Sequence, residues 1–292
     1  MKIFLTIILF LSMFNIQSQT TSDYKVYDLQ KDTLRVLSWN IKMLPGIYLN
    51  KHNKQKIARR SKAISKEILK KKYDIIVFQE AFNFNSRRII KKNLADKYPY
   101  IYKPLNYKLF SLKGNGGVWV LSKIPLKNTK EVKYKKCSST DCLARKGAIL
   151  MEGVNKNINF QIIGTHLQSG SNWQVRQKQY HQLAEILEKN KRNNILQIIC
   201  GDMNCAMQDK NEYQNMINIL QAKNTNKNQG LKYSNYNKNK IIDYILTRDN
   251  NSNLLVKSKI ILIGEDWDVK KHNFPKKMGL SDHLSLESII IF

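Results

Sequence analysis

The feature that most limits how this chain can fold is a series of short polar clusters, each of which ends or follows an apolar run. The apolar runs are typical of buried strands. The polar clusters are LSWN at 37–40, FQE at 78–80, GTHLQ at 164–168, GDMN at 201–204 and SDH at 281–283. Several strands therefore carry Asn, Glu, Asp and His to their ends. A hydrolytic metal site can be assembled in this way from distant parts of a chain.

The chain of 292 residues has 42% hydrophobic content, enough for one large core, and no long Pro/Gly/Ser linker divides it. It begins with Met1-Lys2, an almost wholly apolar stretch at 3–14 and a region at 16–19 suited to cleavage. The apolar stretch is too short for a membrane span, so we predict a signal peptide over 1–18 and one domain over 19–292. An N-terminal anchor helix is the alternative. Export would make the protein a secreted one, extracellular or periplasmic.

Export also permits disulfides, and the sequence contains four cysteines. Cys137 and Cys142 flank a polar loop and could close a small ring. Cys200 lies in an apolar strand and Cys205 lies just past its end. In an extended strand these two are too far apart to pair with each other. We therefore predict one disulfide and two buried thiols.

The formal net charge of +28 has two interpretations. One is attraction to a polyanion, either nucleic acid or an anionic membrane face. The other is a composition rich in lysine throughout, as in the run at 189–194, since no single basic helix carries regularly interleaved aromatics. The charge therefore does not decide the substrate.

Periodicity predicts many strands and few long helices. The spacing of Ile57, Ile64 and Ile68 predicts a surface helix over 54–72. Two more helices are predicted at 85–95, capped by Asn85, and at 173–188, and a loop at 221–240. Strands are predicted at 34–38, 74–78, 117–122, 147–152, 158–164, 195–200, 241–247 and 284–291. Two packed sheets with helices outside fit this order better than a doubly wound parallel sheet.

Glu80 follows the apolar run at 74–78, where a carboxylate is costly unless it is paired or bound to a metal. With the amide oxygen of Asn40 it makes an oxygen-only site. Mg²⁺ suits such a site because it keeps several waters and uses one or two carboxylates plus substrate phosphate. Cys and His do not cluster at zinc spacings. Taken alone, Glu80 would be interpreted as an exposed loop carboxylate.

Two histidines, His166 and His283, end or follow strand-like segments. Their pKa lies near neutral pH, so one can take a proton from water while the other protonates a leaving oxygen. Asp243 lies inside the apolar run IDYI at 242–245 and needs a partner there. Orienting a catalytic imidazole is one such role, and a structural hydrogen bond is the other.

Together the ordered motifs LSWN, FQE, GTHLQ, GDMN, IDYI and SDH resemble the endonuclease/exonuclease/phosphatase superfamily of metal-dependent phosphoesterases, from about residue 34 to the C-terminus. Within it the chain most resembles the secreted bacterial neutral sphingomyelinases. This narrower resemblance depends on GTHLQ with GDMN, on the strand GGVWVLSK at 116–123 and on DCLARKG at 141–147. It implies an α/β fold of two stacked mixed β-sheets flanked by helices, the four-layer sandwich of deoxyribonuclease-like proteins.

The resemblance also implies roles for residues. His283 would be the general base that activates water, with Asp243 orienting it. His166 would act on the leaving-group side. Asp202 and Asn204 would bind the phosphate and position the nucleophile.

The resemblance extends to metal and substrate binding. Glu80 would hold the divalent cation, Mg²⁺ or another, with Asn40 nearby and Asp282 at the edge of the metal site. Lys146, together with Asn204, would contact the substrate phosphate.

The expected activity is hydrolysis of sphingomyelin to ceramide and phosphocholine by a monomer acting on phospholipid at a membrane surface. Two alternatives stay open: a secreted Mg²⁺-dependent endonuclease of the same fold, with nucleic acid as partner, and a catalytically idle basic adhesin. The exposed membrane-binding hairpin of the family is not recognisable here. Its place is taken by the segment 264–277, which carries Trp267 and Phe274 among charged residues.

Overall fold

A computed structural model describes residues 33–45, 51–109, 113–193, 195–235, 239–248, 255–264 and 279–292. The signal peptide predicted over 1–18 and the aromatic pair Trp267 and Phe274 lie outside these residues. Four helices are described: α1 (Lys51–Leu69), α2 (Phe84–Leu94), α3 (Trp173–Lys189) and α4 (Lys210–Leu220). None of the described helices combines the length and the apolar character that a membrane crossing requires.

Thirteen strands accompany the helices in the described part of the chain. They are β1 (Thr33–Met43), β2 (Ile75–Ala81), β3 (Tyr100–Ile101), β4 (Trp119–Ser122), β5 (Leu126–Lys133), β6 (Gly147–Asn155), β7 (Ile158–His166), β8 (Leu196–Asp202), β9 (Lys223–Asn224), β10 (Asn226–Gly230), β11 (Asp243–Arg248), β12 (Leu255–Ile261) and β13 (Ser285–Ile291).

The strands form two mixed sheets. The seven-stranded sheet has the order β10-β12-β13-β1-β2-β4-β3, and the six-stranded sheet has the order β5-β6-β7-β8-β11-β9. Near the centre of each sheet two neighbours run parallel, β1 with β2 and β7 with β8. These strands are apolar almost throughout because both of their faces are covered, one by the other sheet and one by helices.

The sheets lie face to face, and glycine allows their close approach at one point. A Cβ on Gly164 of β7 would lie 2.7 Å from Val118 Cγ1 and 2.9 Å from Val77 Cγ1 of the other sheet. Helices α1 and α2 cover the outer face of the seven-stranded sheet, where Ile64 and Ile90 join the strand residues in one apolar cluster. Helices α3 and α4 cover the six-stranded sheet. The prediction of two stacked mixed sheets flanked by helices is confirmed.

Two predictions about local structure were wrong. The cap of α2 is Asn83, whose side chain accepts a hydrogen bond from Ser86 N at 3.0 Å, whereas Asn85 lies inside the helix. The stretch at 221–240 is not loop throughout, because it contains β9 and β10. Both are short edge strands of polar residues, so their pairing with β11 and β12 leaves no apolar period in the sequence.

Candidate active site

The central strands end at the same edge of the sandwich. Parallel pairing sets Asn40 of β1 opposite Gln79 of β2, directly before Glu80, and sets His166 of β7 opposite Asp202 of β8. Strand β11 begins at Asp243, which is paired with Asp202. The polar clusters that are far apart in the sequence therefore meet, because the carboxyl ends of parallel neighbours lie at one edge.

Asp202 lies at the centre of the cluster. Its Oδ2 accepts a hydrogen bond from Asn40 Nδ2 at 3.0 Å and lies 3.6 Å from His166 Nε2 and 3.8 Å from His283 Nε2. Its Oδ1 accepts from the backbone N–H of Asn204 at 2.9 Å. Burial, followed by the negative charge of Asp243, raises the pKa of Asp202 to about 6. The cluster thus holds a carboxylate whose charge is poorly compensated by the protein alone.

Glu80 and Asp202 accept hydrogen bonds from the same amide group, that of Asn40. Asn40 Nδ2 donates to Glu80 Oε1 at 3.0 Å as well as to Asp202, and Asn40 Oδ1 accepts from Lys42 N at 3.1 Å. In this arrangement the amide nitrogen faces the carboxylates, and an oxygen ligand from Asn40 would require the amide to turn over. Burial raises the pKa of Glu80. The metal-ligand role of Asn40 stays a prediction.

His283 and Asp243 form a hydrogen-bonded pair, as the sequence predicts. His283 Nδ1 lies 2.9 Å from Asp243 Oδ2 and 3.1 Å from Oδ1, and its Nε2 lies 2.9 Å from Asn235 Nδ2. Burial lowers the pKa of His283, but the charges of Asp243 and Asp202 outweigh it and raise the value to about 10. In the neutral ring, the proton lies on Nδ1 towards Asp243 and the lone pair of Nε2 faces the site.

His166 and Lys146 form a second contact. Lys146 Nζ is a donor without acceptor capacity, and it lies 3.1 Å from His166 Nε2, so the imidazole accepts there and carries its proton on Nδ1. Burial and the charges of Lys146 and His283 hold the pKa of His166 well below its usual value. Its buried Nδ1 has no hydrogen-bond partner among the described residues. His166 is therefore neutral, with its Nε2 towards Lys146 and Asp202.

The ammonium of Lys146 is fully engaged. Besides His166 it donates to Asp141 Oδ2 and to Leu167 O, both at 2.9 Å. A direct bond to a phosphate would therefore displace one of these partners, although the charge itself faces the cavity. The substrate-binding role of Lys146 stays a prediction.

Asp282, which lies near the C-terminus, also lines the site. Its Oδ2 pairs with Lys42 Nζ at 2.6 Å, while its Oδ1 is buried with no partner among the described residues. Glu80, His166 and Asp202 each offer a ligand atom, and these atoms lie within 4.8 Å of one another. The two carboxylates of this group suit a hard divalent cation, and Asp282, which is not a member of the group, lines the same cavity.

These residues line one open cavity of about 800 Å³. Its lining includes the carboxylates, the histidines, Asn204 and Lys146, and it also includes apolar residues. The apolar part contains Leu44, Phe82 and Leu143, and the side chains of Leu44 and Leu143 are 42% and 55% exposed. The cavity therefore suits a ligand that carries both a charged group and an apolar body.

The cysteine predictions are confirmed. Cys137 and Cys142 form a disulfide with a Cα–Cα distance of 5.3 Å, and Cys200 and Cys205 are buried free thiols. The ring also contains Asp141, the partner of Lys146. The disulfide therefore closes a loop that lies against the site.

Sequence reasoning missed three residues of the site: Lys42, Asn235 and Asp141. Lys42 and Asn235 contact residues 240 and 48 positions away, and neither stands out in a chain rich in Lys and Asn. Asp141 carried a usable signal, since it directly precedes Cys142 and is the first residue of the motif DCLARKG, which contains Lys146.

Stacked sheets whose strand ends collect carboxylates, amides and histidines define an α/β sandwich with a site suited to phosphoester chemistry. The chain belongs to the endonuclease/exonuclease/phosphatase family, whose sequence pattern matches residues 37–283. This confirms the resemblance that the ordered motifs carry.

Similar proteins agree with this assignment. Sphingomyelinase C 2 of Leptospira interrogans is 32% identical over 207 residues, which are 64% of this chain and 33% of that protein, so the chain spans about a third of its length. A sphingomyelinase C of Bacillus cereus is 27% identical over 70% of this chain and 68% of its own. A Staphylococcus aureus beta toxin variant with bound magnesium ions shares the fold, with a TM-score of 0.74, 21% identity and coverage of 87% and 98% of the two chains.

Proposed function

We propose that this chain is an exported, divalent-metal-dependent phosphodiesterase that hydrolyses sphingomyelin to ceramide and phosphocholine. The observation that carries the proposal is the cavity, whose lining includes carboxylates, apolar side chains and His283, the hydrogen-bond partner of Asp243. Such a cavity matches a phosphodiester that joins a polar head group to a lipid. The sequence similarity to sphingomyelinases C supports the same substrate.

His283 acts as the general base in this proposal. Asp243 holds the Nδ1–H. The Nε2 lone pair accepts from Asn235 Nδ2 in this structure, so it takes a proton from a water molecule at the phosphorus once that water replaces the Asn235 amide. Since Asp202 lies 3.8 Å from Nε2 and helps to raise the pKa of His283, neutralising Asp202 favours the unprotonated base. The base and the carboxylate cluster therefore work as one unit.

His166 acts on the leaving-group side. Its Nε2 lies 3.1 Å from Lys146 Nζ and 3.6 Å from Asp202 Oδ2 and so faces the reacting groups, whereas its Nδ1 is buried. A hydrogen bond from His166 to a leaving oxygen would therefore use the other tautomer, with the proton on Nε2 and Lys146 held by its two remaining acceptors. The Lys146 charge and the Asn204 amide lie on the same side of the cavity and support the phosphate. These groups stabilise the negative charge that develops as the ester bond breaks.

Glu80 would hold Mg²⁺ or another divalent cation, with Asp202, Asn40 and Asp282 around it. The oxygen-rich donor set and the unpartnered Asp282 Oδ1 support this choice. When bound, the cation supplies positive charge against the phosphoryl oxygens.

Export is part of the same proposal. The leader at 1–18 and the catalytic domain at 19–292 would give a monomer, extracellular or periplasmic, that meets phospholipid at a membrane surface. The Cys137–Cys142 disulfide supports an oxidising compartment, because structural disulfides persist there.

A second candidate is an exported endonuclease of the same fold, which the net charge of +28 favours. One parallel assay separates the two. The purified protein is given Mg²⁺ with sphingomyelin vesicles and, separately, with plasmid DNA. Release of phosphocholine with intact DNA is the expected result. Cleaved DNA with intact sphingomyelin would replace the lipid function by the nuclease.

A further inference from the structure

Three buried arginines on three different helices bind the chain where it leaves the site strands. They are Arg60 of α1, Arg87 of α2 and Arg176 of α3, and they are only 5%, 8% and 4% exposed. Burying a guanidinium costs free energy unless its donors are satisfied. What they bind is therefore informative.

Arg60 joins the ends of two site segments. Its Nη2 and Nη1 donate to Ile41 O at 2.5 Å and Lys42 O at 3.1 Å, the two carbonyls after Asn40. Its Nε donates to Leu280 O at 2.8 Å, directly before the SDH motif. One planar group thus fixes the exit of β1 and the entry to the catalytic C-terminal segment.

Arg87 binds the backbone at the end of the neighbouring strand β2. Its Nη1 donates to Ala81 O at 2.5 Å and to Phe82 O at 2.7 Å, the two carbonyls after Glu80. Burial lowers the pKa of Arg87 and of Arg60 to about 10, which reflects the cost of desolvating both charges.

Arg176 repeats the arrangement after His166. Its Nη1 donates to Gln168 O at 3.2 Å and to Gly170 O at 2.7 Å. Its Nε and Nη2 form a bidentate ion pair with Glu212 of α4, at 2.5 Å to Oε1 and 2.8 Å to Oε2. The loop after β7 is thereby tied to both outer helices of its sheet.

Each bound segment also carries a residue with positive φ: Lys42 at 47°, Glu80 at 51° and Gly170 at 76°. Lys42 and Glu80 are not glycines, so their left-handed backbone costs free energy and persists only when the surroundings hold it. The guanidinium bonds lie where that support is needed.

We propose that Arg60, Arg87 and Arg176 are positioning residues, which fix the strand exits behind Asn40, Glu80 and His166 and so hold the site in its reactive geometry. A displacement of about 1 Å at a reacting centre costs on the order of a hundredfold in rate. The consequence for rate rests on the proposed function, whereas the consequence for backbone order does not.

The experiment compares Arg60→Lys and Arg87→Lys with Arg59→Lys and Arg88→Lys. Arg59 and Arg88 are the exposed neighbours on the same helices, so these controls make the same chemical change outside the site. Lysine keeps the charge but has a single donor atom and cannot span two or three carbonyls. Hydrogen exchange of the free protein and kcat on sphingomyelin vesicles are measured for all four.

In Arg60→Lys, exchange should accelerate about tenfold or more at 41–44 and 279–283 and stay unchanged at the amide of Ala81, which donates to Gly117 O. Arg87→Lys should accelerate exchange at 81–83 and leave 279–283 unchanged. In both, kcat should fall roughly ten- to a hundredfold with KM within about threefold, while the controls match the wild type. Faster local exchange with unchanged kcat, unchanged exchange, or unfolding of both site variants would each overturn the proposal and leave the arginines merely structural.

These outcomes are distinct from failure of the proposed function. A wild-type protein that cuts plasmid DNA and leaves sphingomyelin intact overturns the lipid substrate, and kcat is then compared on DNA. If the wild type hydrolyses neither, the proposed function fails and the positioning role fails with it, while the exchange pattern still shows whether the arginines order these segments.

Discussion

Replacing Glu80 by Gln tests the carboxylate cluster most directly. The substitution keeps the side chain's size and leaves an oxygen that can accept the 3.0 Å hydrogen bond from Asn40 Nδ2. It removes one of the two carboxylates among the three groups whose ligand atoms lie within 4.8 Å. The fold should therefore survive while the affinity for a divalent cation falls.

The magnitude follows from two opposing terms. Two unit charges about 4 Å apart attract by about 4 kcal/mol at an effective dielectric constant of about 20. Part of this is offset because burial raises the pKa of Glu80, so the ionised carboxylate is disfavoured in the cation-free fold. The remaining few kcal/mol correspond to a loss of roughly a hundredfold or more in rate, since each tenfold is about 1.4 kcal/mol.

The raised pKa of Glu80 also determines how the substitution changes the stability of the fold. An acid whose pKa is raised by folding stabilises the fold at low pH, and this contribution is lost as the pH rises through the folded-state value. At neutral pH the ionised Glu80 therefore opposes folding when no cation is bound. Glu80→Gln should leave the melting temperature in chelator unchanged or higher, and should lose the increase that Mg²⁺ gives the wild type.

The assay combines turnover of sphingomyelin vesicles across a Mg²⁺ titration with thermal melts in chelator and in Mg²⁺. Glu185→Gln is the control, because Glu185 is an exposed glutamate of α3 paired only with its helix neighbour Lys189 in the described contacts. Near-normal turnover of Glu80→Gln, or full wild-type activity in excess chelator, would refute the reasoning.

Three further predictions concern the catalytic pair, the cysteines and, from the sequence alone, the two aromatics of the segment 264–277. His283→Ala should cost on the order of 10²–10⁴ in rate, and Asp243→Asn less because it only misorients the base; wild-type turnover of His283→Ala would contradict the mechanism. The two cysteines of the 137–142 ring should resist alkylation without reductant, as mass spectrometry of the exported protein can show, whereas labelling would contradict the disulfide. The double variant Trp267→Ala, Phe274→Ala should lose activity on vesicles but keep it on a soluble phosphocholine ester; equal losses would indicate a packing defect.

Much of the site was predictable because its residues follow apolar runs directly. An alternation of buried strand and polar end is a local pattern, so Glu80, His166 and Asp202 could be assigned to strand ends from the sequence. The Cys137–Cys142 ring was predictable for the same reason, since five positions of separation place the thiols close in any compact loop. Edge strands such as β10 were missed because polar residues at a sheet edge carry no apolar period.

The amino-acid sequence by itself determined which side chains reach the strand ends, because burial forces the apolar runs into the sheets and leaves their polar ends outside. Only the tertiary structure decided how those ends are joined. The contacts of Lys42 with Asp282 and of Asn235 with His283 join positions that are far apart in the sequence. Among 50 Lys and Arg residues, no local sequence pattern shows which arginine is buried. Such contacts depend on the packing of helices against sheets, so they arise only when the whole core has formed.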